Sequence, residues 1–265
     1  MSERSEHTDV VSDLRPMVLL RYLVGPIVVL HLWPIVHGTL YLDTFHEPYV
    51  SWFPELPRSA YIALLWIGMA AGLCMLVKPI ARVATVMAFV VVAYDLFVST
   101  TEFHNNRAYL FIVLGCLCFV PGNVGPPWPR WLLRAEAATV YGASGLSKLF
   151  DRDWFSGRVS WGRMLAISDR VPSWLTNREL HTYAAKVIIA TELFIAVGLW
   201  FRRTRPFAVA LAVLFHLAIA ATADVEVFSA LGIAALVIWI PPDSLGGGDA
   251  SVDGDDRSGE VRAGA

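Results

Sequence analysis

The sequence predicts an all-α fold: a polytopic membrane helix bundle with about eight transmembrane helices and an outer interfacial segment. Three observations lead there. Hydrophobic residues make up 56% of the chain and charged residues 17%, and the mean hydropathy of +0.54 lies far to the apolar side of a soluble domain. Apolar blocks long enough to cross a hydrocarbon core recur at 17 to 38, 59 to 77, 81 to 99, 178 to 201, 206 to 222 and 227 to 241. Weaker blocks at 108 to 120 and 131 to 150 complete the set. Finally, the connections alternate in charge. Those holding Lys78 with Arg82, Arg130 with Arg134, and Arg202, Arg203 with Arg205 contain no acid. Those between carry Asp43, Glu47 and Glu55, then Glu102, then Asp224 and Glu226.

Lys and Arg are retained on the cytoplasmic side, so the basic turns are expected inside and the acidic ones outside. This predicts a multi-pass cell-membrane protein with both termini cytoplasmic. Residues 1–16 mix acids with Arg4 and Arg15, unlike a cleaved signal peptide, and are expected to be a polar N-terminal extension. Residues 17–241 form the transmembrane domain, and the acidic, Gly-rich stretch 242–265 lacks the apolar residues that offset the entropy of ordering, so a disordered cytoplasmic tail is expected. A net charge of −2 without a basic run leaves no nucleic-acid footprint. Cys74, Cys116 and Cys118 fall toward the reducing side and read as small buried hydrophobes. Neither His31 nor His37 has a metal-ligand spacing to another histidine, and no metal is expected.

Ionisable residues inside spans are rare, and each raises the question of its partner. Arg21 lies one turn into the first block, where a cation could snorkel to the interface. His31 and His37 follow it on a helix that Pro26 and Pro34 are placed to bend. Glu192 sits mid-span with no snorkelling route, so it must be protonated, paired or facing a cavity. Asp95 and His216 lie one to two turns from the outer face.

The block ending in "YGASGLSKLFDRDWFSG" is the most informative. Tyr141, Gly145 and Lys148 stand at i, i+4 and i+7, on one helix stripe with Ser144 beside it. Small residues there suit helix packing, and Lys148 could simply snorkel to head groups. Alternatively, desolvation disfavours an ammonium, which would let the amine serve as a general base. Trp154, Trp161 and Trp174 suit an interfacial belt, so "GRVSWGRMLAISDRVPSWL" is expected to lie along the outer surface as a lid.

The run from Arg134 to Gly157, with Tyr141, Gly145, Lys148, Leu149, Asp153, Trp154 and Gly157, resembles the central motif of the vitamin K-dependent gamma-glutamyl carboxylase family, whose membrane part is the HTTM (horizontally transferred transmembrane) domain. "LRYLVGPIVVL", "HNNRAYLF" and "FHLAIAATADVEVFSALGI" are similar to other segments of that family in the same order, so the resemblance spans residues 15 to 241. It implies a membrane quinol, vitamin K hydroquinone-like, as cofactor, with O2 and CO2 as co-substrates. Lys148 would be the base that deprotonates the quinol. His216, with His104, would assist catalysis, and Tyr141, Ser144, Gly145, Arg107 and Asp95 would line the cofactor site. The chain departs from the family at Ser147, where a second lysine stands, and at Arg107, where a histidine stands that His104 could replace. The family also continues into a large extracytoplasmic domain, so carboxylation of a protein is not expected here.

Two classes of function follow. One is a quinol-oxidising, carboxylase-like enzyme whose partners are the lipid bilayer and a lipid quinone. The other is a non-catalytic HTTM membrane protein acting in lipid or peptide binding, export or immunity, with a peptide substrate or partner protein, in which Lys148 pairs structurally with Asp95 or Glu226.

Overall fold

The computed structural model describes residues 12–41, 48–98, 105–223, 225 and 227–245. They fold into α1 (Arg15–Tyr41), α2 (Arg58–Cys74), α3 (Ala81–Val98), α4 (Asn105–Cys118), α5 (Trp128–Phe150), α6 (Arg152–Phe155), α7 (Arg158–Ala166), α8 (Arg178–Gly198), α9 (Arg205–Thr222) and α10 (Phe228–Ala235). A 3-10 turn, Leu236–Trp239, extends α10, and another, Ser173–Thr176, precedes α8. The strands are two residues each, β1 (Ser12–Asp13) and β2 (Val124–Gly125), paired antiparallel.

Each of the eight apolar blocks coincides with one of these helices. Not all are fit to cross a bilayer by themselves. By length and composition α1, α3, α8 and α9 qualify. The 14 residues of α4 rise only about 21 Å, short of the roughly 30 Å hydrocarbon core. The 23 residues of α5 are long enough but carry Arg130, Arg134, Glu136 and Lys148. The acidic connections at 42–47 and 99–104, together with Asp224, Glu226 and the expected N-terminal extension and tail, fall mostly outside the described residues.

α1 to α4 pack in sequence, α5 packs on α8 and α8 on α9, and α10 with its 3-10 turn returns to close against α1. The α1–α2 crossing is tight enough that a Cβ on Gly25 would lie 2.5 Å from the Gly72 carbonyl oxygen. Small residues permit this approach where no hydrophobic effect drives two helices together in lipid. The core runs through both helix groups, from Leu14, Met17 and Leu20 to Leu199, Leu231 and Trp239.

Arginines finish the helices. Arg21 does not snorkel: it is buried and donates to the carbonyls of Leu117 (3.0 Å) and Val120, at the end of α4. Arg58 donates to Thr39 and Leu40 at the end of α1. Arg205 donates to Leu199 and Trp200 after α8, and Arg130 and Arg134 to Ile238 and Ile240 after α10. Each guanidinium meets carbonyls left without intrahelical donors, at the negative pole of a helix. At the first strand, Asp13 is held below the usual carboxylate range by its hydrogen bond and ion pair with Arg15.

Candidate ligand-binding cavity

The C-terminal end of α5 faces the middle of α8. Gly145 makes this possible, because a Cβ there would sit 3.0 Å from the Leu193 side chain and 3.3 Å from the Glu192 Cβ. The glycine therefore admits α8, as small residues suited to helix packing do, and it is not among the residues lining the cavity, where the resemblance placed it. Through that gap Glu192 reaches Lys148. The Lys148 Nζ lies 2.9 Å from both Glu192 oxygens. It also donates to the Ser144 Oγ, which donates in turn to Glu192 at 2.9 Å. The Trp154 ring covers the ammonium at 4.9 Å. Only 14% of the lysine side chain and 4% of the glutamate side chain is exposed.

Lys148 and the mid-span carboxylate Glu192 are therefore each other's partners, and the expected pairing of Lys148 with Asp95 is corrected. Asp95 is occupied elsewhere: the Tyr61 hydroxyl donates to it at 2.6 Å, and Arg107 and His31 stand 3.6 and 3.7 Å away. That cluster is buried among α1 to α4. Neither Asp95 nor Arg107 is among the residues lining the Lys148 cavity, as the resemblance implied; Arg107's neighbour Asn106 is. Glu226 and His104 lie outside the described residues.

Above the ion pair lies a cavity of about 600 Å³. Tyr141, Ser144 and Lys148 of α5 form one wall, Leu180, Ala184, Ile188 and Glu192 of α8 a second, and Phe215, Ala218, Ile219 and Thr222 of α9 a third. Its cover is the segment expected to be a lid, through Trp154, Ser160, Arg163, Met164, Trp174 and Leu175. Local chemistry sets that cover in place. The Asp151 side chain accepts from the Asp153 and Trp154 amides and starts α6. Gly157 turns the chain at φ +79°, where a Cβ would strike the His181 carbonyl at 2.3 Å. The Trp161 indole donates to Thr176, and His181 is bonded through Nε2 to the Leu175 carbonyl.

His216 stands behind the wall. It is 1% exposed, and its Nε2 is 2.7 Å from the Tyr141 hydroxyl. A Cβ on Gly232 would lie 2.2 Å from that nitrogen, so α10 leaves space for the imidazole. His216 thus meets the cavity indirectly, through its hydrogen bond to Tyr141 and its ring contacts with Phe215 and Phe228. Asn106, Arg163 and His181 are lining residues that sequence reasoning did not single out. Asn106 lies in the segment "HNNRAYLF" and Arg163 in the expected lid, but neither was given a role as an individual residue, and nothing in the local sequence marks His181.

The cavity is a mostly apolar chamber into which a phenol, a hydroxyl and a lysine–glutamate pair project from α5 and α8. Among the described residues no group of three or more His, Cys, Asp or Glu stands together as metal ligands. No curated protein and no solved structure matches the chain. A family model does match, over a stretch that begins just before α5 and contains the ion pair, the cover and all of α8 to α10, narrower than the resemblance read from the sequence. Residues 122–243 match the model of the HTTM domain, and are similar to that family over this part of the chain.

Proposed function

We propose that this membrane protein takes an amphipathic lipid quinol into the α5–α8–α9 cavity and oxidises it with oxygen in a carboxylase-like reaction. One observation carries the reading: an apolar chamber of about 600 Å³ meets a strip of proton-exchanging groups at Tyr141, Ser144, Lys148 and Glu192. The volume and lining suit a ring with part of an isoprenoid tail. A bound quinol would supply the electrons that reduce oxygen. The chain's own part is to seat the ring hydroxyls against Tyr141 and Ser144, exclude water beneath the cover, and accept a proton.

The ion pair changes how Lys148 would act. An ammonium held by both carboxylate oxygens is not a base. Lys148 becomes one only after passing a proton to Glu192, leaving an amine beside a carboxylic acid. The catalytic unit in this reading is thus the pair, with Tyr141 oriented by His216.

The same engagement of the amine supports the second reading, a non-catalytic chamber for a lipid or a peptide. Oxygen uptake with added menaquinol or vitamin K hydroquinone separates the two, measured beside quinol binding for the wild type and Lys148→Met. The enzyme reading expects oxygen uptake by the wild type and binding without uptake by the variant. Wild-type protein that binds quinol but consumes no oxygen leaves the chamber as a binding site.

A further inference from the structure

At the other end of α5, about 20 Å from Lys148 along the helix, three arginines crowd together. Arg130 and Arg134 donate to the same carbonyl, Ile238, at 2.9 and 3.0 Å. Arg134 and Arg205 lie over the same indole, Trp239, at 4.9 and 5.7 Å. None of the three has a carboxylate within ion-pair distance among the described residues. Asp13 is near enough to feel Arg130 but is already paired with Arg15 at 2.6 Å. Helix carbonyls carry about half an elementary charge per helix end, which cannot neutralise three guanidiniums. Like charges this close repel strongly in a half-buried setting.

Two donors in the same cluster are also left over. The Arg134 Nε and the Trp239 Nε1 are buried and have no acceptor, Trp239 being 1% exposed. Trp131 stacks on Trp200 at 5.9 Å, and Trp200 meets Trp239 edge-on at 5.2 Å. Trp131 and Trp200 keep 53% and 38% of their surface exposed, as rings of an interfacial belt do.

We propose that this cluster is a binding site for the phosphate of an anionic phospholipid, in the leaflet that the arginine distribution assigns to the cytoplasm. Excess cationic charge, leftover N–H donors and a surrounding tryptophan belt together fit a headgroup phosphate whose acyl chains lie along the exposed apolar faces. Guanidinium forks match phosphate oxygens two at a time. The site is independent of the quinol reading.

The test titrates the full chain in neutral detergent with phosphatidylglycerol, phosphatidylcholine or inorganic phosphate, following the melting temperature and the lipid retained in native mass spectrometry. Phosphatidylglycerol should raise the melting temperature and be retained preferentially. Arg134→Gln should lower its apparent affinity roughly five-fold, the effect of about 1 kcal/mol per cation near a membrane surface. Arg134→Lys keeps a charge while losing the fork, and should fall between the two; it decides the matter if the glutamine variant does not fold. Equal effects of the two lipids, or a preference unchanged in the folded variants, would overturn the proposal. So would full stabilisation by inorganic phosphate alone, which would leave an anion site without a lipid.

Discussion

Lys148 and Glu192 hold each other 2.9 Å apart with Ser144 between them, at a depth where either charge alone would be poorly solvated. Removing one member of such a pair typically costs about 3–5 kcal/mol, whereas replacing both with apolar side chains is often neutral. Lys148→Met is therefore expected to lower the melting temperature sharply, and Lys148→Met with Glu192→Leu to recover most of the loss. Equal, additive losses in the single and double variants would show that the pair is not coupled. The two residues were separately conspicuous in the sequence, one as a lysine at a helix end and the other as a mid-span acid. Their partnership was not legible, because periodicity places residues on a face of their own helix and is silent on which helix stands opposite. The same limit misassigned Asp95, whose true neighbours come from α1, α2 and α4.

Helices depend on where side chains are missing. α10 accommodates His216 at Gly232, and an added methyl there would lie 2.2 Å from Nε2. Gly232→Ala should displace the imidazole, break its 2.7 Å bond to Tyr141 and cost about 1–3 kcal/mol, as overpacking does; a melting curve beside a quinol-binding isotherm checks it. In the cover, Gly157 occupies the left-handed region at φ +79° against the His181 carbonyl. Gly157→Ala adds about 1–2 kcal/mol of backbone strain to that clash. Amide exchange should then quicken across α7, with the helices beneath unaffected, and unchanged protection of 158–166 would show that the turn is not what fixes the cover. The positions of the eight main helices were legible as apolar blocks. The stripe on α5 was legible too, but whether Gly145 makes space for a helix or for a ligand was left open, and the space is taken by α8. A missing side chain shows that something comes close, and the sequence does not say what.

For the molecule as a whole, the alternation of basic and acidic connections predicts one orientation. Arg158→Cys, in the cover, should react in intact cells with an impermeant thiol reagent, and Arg203→Cys, between α8 and α9, should react only after the membrane is opened. The reverse labelling would invert the bundle and move the cavity to the other leaflet. The arginines behind this expectation do more than set orientation, since Arg130, Arg134 and Arg205 also terminate α8 and the α10 extension. Sequence reading assigns them a side from charge alone; their carbonyl partners, more than a hundred residues away for Arg130 and Arg134, follow from how the chain closes.

That closure fixes an order of events during synthesis. Arg130 and Arg134 leave the ribosome more than a hundred residues before the Ile238 carbonyl that they share, and Arg130 as long before the Ile240 carbonyl that it bonds alone. For that interval α5 carries two half-buried cations with nothing to receive their hydrogen bonds, and it must wait at the interface or lean on head groups and the insertion machinery. The last apolar segment does not merely add a helix. Its arrival gives α5 its acceptors and joins the end of the chain to α1, so a nascent protein halted before residue 238 should remain an open bundle exposed to quality-control proteases.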